Sequence, residues 1–503
     1  VKNIYFDKVI LFLILEINKI FIFDMFKQLK FQENNLLIYS VVFFIILLGF
    51  IFRFYNINYE NLWIDEIYSF WVTDPSLSFA ETYLRLQTTE SIPFLYYYLV
   101  KMCNKIFGYD PIVGRCFSAF FGFLSIFSVG ILCKKITQNK SYLLTTCLIS
   151  LNIFLIVNSQ EMRVYIFTFF LSSLSLIFFL NLFKEDKNRI FTKNFLSFTF
   201  FTFLAIVSHP FAIIILISII SFIIVDYLFF SKKNHKVNIS LILISILTIG
   251  FLYHYVNYVS LNKVGWIEQP DIKFFTNFYF SKFFGSRILG IVHLFTLIIL
   301  LFYLRKKIVR NKEIIFLVIF LILSYFIPLT YGYLIKPIIF PKYIIFVLIP
   351  IILIISILVF LIENKTLKKL MISFLILINF ANHFTESTLK QFFSERQRFN
   401  PNFEEAFSTI EESKIKKLSF YTNKINDENE NFINTVISNY SQLMLNKKGY
   451  EIEIIKDGPK NIEGKIWNIC LTIISCDKPP DKSNVLEETL LEGGLKLSLW
   501  EVR

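Results

Sequence analysis

A chain of 503 residues with 55% hydrophobic side chains and a mean hydropathy of +0.58 is too apolar for a soluble protein of its length and reads as a polytopic membrane protein. Its formal charge of +13 does not point to nucleic acid, because Lys and Arg fall in short runs between apolar segments, as in cytoplasmic loops under the positive-inside rule. Six cysteines without a Cys-x-x-Cys pair indicate neither a zinc nor a redox centre. Cys470 and Cys476 are close in sequence and could pair only if a turn separates them; two free buried thiols are the expectation. There is no Walker-type loop, dinucleotide fingerprint or His-Glu-x-x-His.

In chain order, Val9 to Phe23 is apolar but short, and Glu16, Asn18 and Lys19 interrupt it. Residues 1–35 are therefore expected as a lead-in, with translation expected from Met25. Leu36 to Phe54 is the first span, and 56–91 the first large loop. Ile92 to Phe107 carries Lys101, Asn104 and Lys105 at helical spacing and reads as an amphipathic helix lying flat at the interface. Lying flat, it leaves the later basic loops, Lys134 to Lys140, Lys184 to Lys193, Lys232 to Lys236, Arg305 to Lys312 and Lys365 to Lys369, on the cytoplasmic side. Ten more apolar runs follow at 113–133, 141–158, 163–183, 193–208, 210–230, 239–259, 286–304, 313–331, 339–361 and 367–384. Each approaches the roughly 20 residues that a helix needs to cross. About eleven crossings put the N-terminus inside and the C-terminus outside. Residues 36–384 thus form an all-α membrane domain. In 385–503 the composition turns polar, with short alternating stretches at 418–421, 450–455, 467–473 and 495–500 and a polar helix at 430–446. That part reads as a small soluble α/β domain outside the membrane, without a catalytic constellation of its own.

This topology, built on Lys and Arg alone, gathers other polar residues on the outer face. Asp65 and Glu66 lie in Leu62-Trp63-Ile64-Asp65-Glu66-Ile67-Tyr68-Ser69, a costly place for charge; they read as a functional pair or as helix-start carboxylates. Glu90 precedes Ser91-Ile92-Pro93 and is a site carboxylate or a turn residue. Glu161 and Arg163 share the tight turn Gln160-Glu161-Met162-Arg163-Val164-Tyr165, as site residues or a solvated pair. His209 is a ligand or a helix cap, and Lys342 a phosphate-binding cation or a snorkelling side chain. Carboxylates and cations on one interface suit chemistry on a phosphorylated lipid, the cations holding phosphate and a carboxylate acting as base.

These residues resemble the membrane-embedded GT-C class glycosyltransferases, in the bacterial branch similar to protein O-mannosyltransferases and the lipid A aminoarabinose transferase. The likeness covers most of residues 36–400. It rests on Asp65-Glu66 in the first outer loop, Glu90 before Pro93-Phe94-Leu95-Tyr96-Tyr97, Gly114-Arg115-Cys116-Phe117-Ser118-Ala119 opening a span, the Gln160 to Tyr165 turn, His209, and Lys342-Tyr343 where the family often has Arg-Tyr. The double proline is reduced to Pro93-Phe94, and lysine at 342 keeps the charge without the bidentate fork. The resemblance implies an enzyme of the bacterial cytoplasmic membrane that moves a sugar from a polyprenyl-phosphate donor to a lipid, glycan or protein acceptor, with inversion. It implies Asp65 as general base, and Glu66 and Glu90 orienting the acceptor or binding a divalent cation. Glu161 and His209 are further acceptor- or metal-binding candidates; Arg163 and Lys342 would hold the donor phosphate, with Arg85 a weaker candidate. The alternative is a transporter or flippase of a lipid-linked saccharide, for which Asp226 is the one fairly deep carboxylate. A third reading is an inactive relative acting as a sensor or scaffold.

Overall fold

The computed structural model describes residues 36–89, 92–137, 139–185, 191–230, 235–258, 267, 269–271, 279–308, 311–385, 400–420, 428–455, 464–472 and 483–502. The expected lead-in 1–35 and Glu90 lie outside them. Helix α1 (Leu36–Phe54) is followed by a first loop with three helices, α2 (Ile64–Val72), α3 (Phe79–Thr89) and α4 (Leu95–Phe107). Then come α5 (Pro111–Thr137), α6 (Ser141–Leu151), α7 (Ile153–Gln160), α8 (Tyr165–Phe183) and α9 (Lys193–Ser208). The bundle continues with α10 (Ile213–Phe230), α11 (His235–Tyr258), α12 (Arg287–Tyr303), the short α13 (Arg305–Ile308), α14 (Lys312–Leu334), α15 (Leu348–Leu361) and α16 (Lys365–Thr385). Among the described residues eight helices are long and apolar enough to cross a membrane, and α6 with α7 makes a ninth, bent span; α9 and α12 are apolar but shorter. Every expected span is thus a helix or a bent pair. Helices suit these runs because hydrocarbon offers no partner for a free backbone donor or acceptor. The windows in Tyr165–Phe183 and Pro341–Leu361 are 89% buried inside the protein, which puts α8 and α15 at the centre, while Leu37–Phe54 and Lys365–Phe384, each 22% buried, lie outside.

The bend between α6 and α7 is 52°, and the sequence around it explains how it is tolerated. At Asn152 the helix stops, and the last carbonyls of α6 lose their partners. Arg53, fully buried, donates from Nη1 to Ser150 O at 3.1 Å and from Nη2 to Ile149 O at 3.1 Å. His383 Nε2 donates to Leu151 O at 2.8 Å. Asn152 then restarts the chain as the cap of α7, its Oδ1 accepting from Leu155 N at 2.9 Å, while its Nδ2 reaches Phe283 O. The cation of Arg53 faces the negative end of α6 rather than a carboxylate.

The amphipathic α4 departs from expectation in one respect. Its polar stripe does not face outwards: Lys101 and Asn104 are buried, and only Lys105 is exposed. The turn between α2 and α3 explains this, since it leaves carbonyls in need of donors. Lys101 Nζ reaches Leu77 O and Thr82 Oγ1 at 2.6 Å each, and Asn104 Nδ2 reaches Thr73 O at 3.1 Å.

After the bundle come α17 (Phe403–Ser413), β1 (Lys417–Ser419), α18 (Glu428–Lys447), β2 (Glu453–Ile455), β3 (Gly464–Leu471), β4 (Ser483–Leu491) and β5 (Leu495–Val502). The sheet runs β2-β1-β3-β5-β4, parallel across β2-β1-β3 and antiparallel across β3-β5-β4. Four strands and α18 fall where the alternation and polarity put them; α17 and β4 are additions. Cys470 is disulfide-bonded, which corrects the expectation of a free thiol there. The strand carrying it ends one residue later, at Leu471, and Thr472 begins a turn. Cys476 lies outside the described residues.

Replacing Arg53 by Leu should lower stability by about 1–3 kcal/mol for each α6 carbonyl left bare, read as a lower Tm in detergent; Arg53→Lys should recover part of it. A Leu variant that melts with wild type would remove the capping role.

Candidate functional site

The nine residues of α2 begin at Ile64, after the cap residue Trp63, whose backbone N–H reaches Glu66 Oε2 at 3.4 Å and whose position makes Glu66 the third helical residue. That register decides the fate of the two carboxylates. Glu66 turns into the protein and Asp65 turns out, the one exposed side chain on α2, with 53% of its side-chain surface accessible.

Glu66 is closed on every side. Arg115 Nε donates to Oε1 and Nη2 to Oε2, both at 2.8 Å, and Met162 N adds a bond to Oε1 at 2.9 Å. Burial works against the charged form, but Arg115 outweighs it and holds the Glu66 carboxyl below its ordinary value. The other donors of Arg115 bind the loop before α2: Nη1 reaches Ile57 O and Glu60 O, and Nη2 reaches Asn61 O. All five guanidinium N–H groups are thereby engaged. The Met162 side chain packs directly on Gly114, where a Cβ would lie 2.0 Å from its Sδ.

Asp65 faces Arg163. Its Oδ2 lies 3.7 Å from Arg163 Nη2, and its backbone carbonyl accepts from Arg163 Nη1 at 3.1 Å. The same Nη1 reaches Ser69 Oγ and Tyr97 Oη. Next to it, Lys342 Nζ bonds Glu161 Oε2 at 2.6 Å. Both cations stand over one ring, Arg163 at 5.7 Å and Lys342 at 6.0 Å from the centre of Tyr165. His209 and Tyr343 pack beside that ring at 5.8 and 5.9 Å.

Of the expected residues, Asp65, Glu66, Glu161, Arg163, His209 and Lys342 come together at one end of the bundle. His209 serves there as a cap: Nδ1 accepts from Phe211 N at 3.4 Å at the start of Pro210–Ala212. Burial, then the nearby Arg163, push its imidazole down to about 3, so it is neutral near pH 7 and carries its proton on Nε2. Arg85 is spoken for elsewhere, stacked 4.3 Å from the Trp71 ring and donating to Trp71 O at 2.8 Å. Arg115 belongs to the cluster and had no role in the sequence reading. Its signal was there, since a cation at the head of an apolar span needs a carboxylate and Glu66 is close by in the preceding loop.

Among the described residues no three His, Cys, Asp or Glu side chains are grouped as metal ligands. Glu66 has its oxygens filled by donors, Glu161 is held by Lys342, and His209 Nδ1 is used as a cap. The described donor set does not fit a divalent cation.

The opposite end of the bundle carries the basic loops. There Lys184 pairs with Glu313, Lys307 with Glu363, and Lys312 with the buried Asp226.

No family model matches the sequence, and no curated protein is significantly similar to it. Solved structures are similar in fold. ArnT from Cupriavidus metallidurans in the apo state aligns over 92% of this chain and 97% of its own at a TM-score of 0.57 and 8% identity; the same protein bound to undecaprenyl phosphate gives 0.55 over the same shares, again at 8% identity. The archaeal oligosaccharyltransferase AglB from Archaeoglobus fulgidus, in complex with an inhibitory peptide and a dolichol-phosphate, aligns over 75% of this chain and 58% of its own, at 0.50 and 12% identity. A bundle of apolar helices, a helical first loop and a small terminal sheet domain, aligned almost end to end with ArnT, give this chain the fold of the GT-C class membrane glycosyltransferases.

Proposed function

We propose that this protein is a glycosyltransferase that takes a sugar from a polyprenyl-phosphate donor and passes it to an acceptor hydroxyl on a lipid, glycan or protein at the outer face of the bacterial cytoplasmic membrane. The observation that carries the reading is the exposed Asp65 beside Arg163, with Lys342 on the same aromatic floor. A carboxylate and two cations within one cluster are what the reaction needs. The fold supports it, since ArnT with this architecture binds undecaprenyl phosphate. The positive-inside rule favours a cytoplasmic position for the opposite end, and the disulfide at Cys470 suits an oxidising compartment for the terminal domain.

In this mechanism the acceptor oxygen attacks the anomeric carbon while Asp65 takes its proton. The bond from that carbon to the phosphate oxygen breaks, and the lipid phosphate leaves as an anion, so a single displacement inverts the centre. Arg163 and Lys342 neutralise the phosphate as charge builds on its leaving oxygen. Glu161 releases Lys342 as the phosphate arrives. Glu66 has no free oxygen for chemistry and acts through Arg115, fixing α2. Apolar surroundings limit hydrolysis by water. The transporter alternative is less favoured, because Asp226, bonded to Lys312, lies at the end of the bundle that carries the basic loops rather than at its middle.

Three outcomes test this with purified protein and a panel of polyprenyl-phosphate sugars. Asp65→Asn keeps size but removes the basic lone pair, so turnover should fall about 10²- to 10⁴-fold with Tm unchanged; undiminished turnover would defeat the assignment. Lys342→Ala should raise the donor KM more than Lys342→Arg, and equal kinetics in all three forms would take Lys342 out of the site. Glu66→Gln leaves Arg115 buried beside a neutral partner, which should cost about 3–5 kcal/mol. The Glu66 carboxyl is depressed, so its contribution is complete above the ordinary carboxylate range and lost as pH falls through the lower folded value. Wild type should therefore lose its advantage in Tm over Glu66→Gln only in strong acid; a constant gap down to that range would refute the ion pair.

A further inference from the structure

We propose that the C-terminal domain is a positioning part of the site, with Tyr440 of α18 and Asn400 holding α2 and so the Asp65 carboxylate in place. The catalytic meaning of this hold rests on the function proposed above; the hold itself does not.

At nine residues α2 is shorter than a helix that stands alone in water. Its placement therefore comes from what touches it. The membrane domain grips its polar groups: Arg115 holds Glu66, Arg163 holds Ser69 and the Asp65 carbonyl, and Asn104 holds Thr73. Its fully buried Phe70 is gripped by rings instead. Tyr109 stacks on Phe70 at 4.0 Å and donates to its carbonyl at 2.8 Å. Tyr440, from the C-terminal domain, meets the same ring edge to face at 6.3 Å. Tyr440 is no loose arm, because Phe403 and Phe407 of α17 pack on it at 5.8 and 5.9 Å.

A second link meets the loop before α2. Asn61 Nδ2 donates to Asn400 O at 3.1 Å, and Asn400 Nδ2 returns a bond to Asn61 O at 2.8 Å. That same Asn61 carbonyl also accepts from Arg115 Nη2 at 3.3 Å. One oxygen thus joins the C-terminal domain to the arginine that clamps Glu66. Asn400 is itself fixed, since the turn at Gly493 (φ +69°) packs against its backbone so closely that a Cβ would come 2.2 Å from Asn400 C. A domain that was only tethered to the bundle would need neither link.

Hydrogen exchange of the full-length protein, with transfer kinetics beside it, tests the idea. Tyr440→Ala should speed exchange in 64–72 by about tenfold, the scale of one lost aromatic pair, while β3 and β5 keep their protection. Tyr440→Phe, which retains the ring, should behave as wild type. Asn400→Ala, outside the domain core, should loosen 56–72 in the same direction and serves as the test if Tyr440→Ala disturbs the sheet. Turnover should fall about tenfold or more in Tyr440→Ala, since small misplacements of a reacting group are costly, with the donor KM little changed. Unaltered exchange in 64–72 in both alanine variants overturns the proposal whatever the kinetics. Faster exchange in a protein whose wild type transfers no sugar supports the hold and shows that the transferase reading is what failed.

Discussion

The ion pair between Glu66 and Arg115 is the interaction on which this end of the molecule depends. A buried pair adds little stability by itself, because removing two charges from water is nearly as costly as their attraction is favourable. Its value here is geometric. A bidentate guanidinium fixes distance and plane at once, and the three remaining N–H bonds of Arg115 tie down the carbonyls of Ile57, Glu60 and Asn61. The start of the first loop is thereby tied to one side chain carried by the long span α5, while Ile67, Phe70 and Val72 of α2 are buried in the core behind it. With Glu66 fixed as the third residue of α2, Asp65 has no choice but to point outwards.

The turn from Gln160 to Tyr165 is the second organising element, and it works because five of its six residues reach out to different side chains or carbonyls. Gln160 Nε2 reaches Phe52 O at the end of α1, Glu161 takes Lys342, Met162 N completes Glu66, Arg163 takes Asp65, and Tyr165 forms the floor under both cations. An extended Glu161 and a short backbone bond from Arg163 N to Glu161 O make that divergence possible. A helix through this stretch would have sent Glu161 and Arg163 to different faces at a fixed 200° and could not have served four elements.

The bundle was legible because hydrocarbon imposes so simple a rule on sequence: runs of apolar residues become helices, and their length and flanking charge do the rest. What escaped was local. β4 was missed because Val485-Leu486-Glu487-Glu488-Thr489-Leu490-Leu491 has no alternation; a register shift between Val485 and Glu487, on an exposed edge strand, breaks the two-residue period. α17 did carry its signal, Phe403, Ala406, Phe407 and Ile410 at helical spacing behind the cap Asn402, within a stretch whose acidic composition drew attention away from it. In the site, sequence placed Asp65, Glu66, Glu161, Arg163, His209 and Lys342 on one face, and the structure brings them together at one end of the bundle, but sequence could not divide them by task. Adjacent residues on a helix face about 100° apart, so Asp65 and Glu66 were bound to differ; which one faced out depended on the position of the cap. Arg85 and Lys101 were misjudged for a shared reason. Long cations in a loop were read as facing phosphate or water, and the structure uses them to satisfy carbonyls that the tight first loop leaves without partners.

Each cation of the floor is matched by a carboxylate: Arg163 with Asp65 and Lys342 with Glu161. The two pairs are unlike. Lys342 and Glu161 make a short, partly buried contact at 2.6 Å, whereas Arg163 and Asp65 stand 3.7 Å apart, with Asp65 half in solvent. On the proposed chemistry an arriving lipid phosphate would compete with both carboxylates for the same cations. Glu66, sealed by Arg115 and Met162, takes no part in that exchange and keeps α2 in position while it occurs.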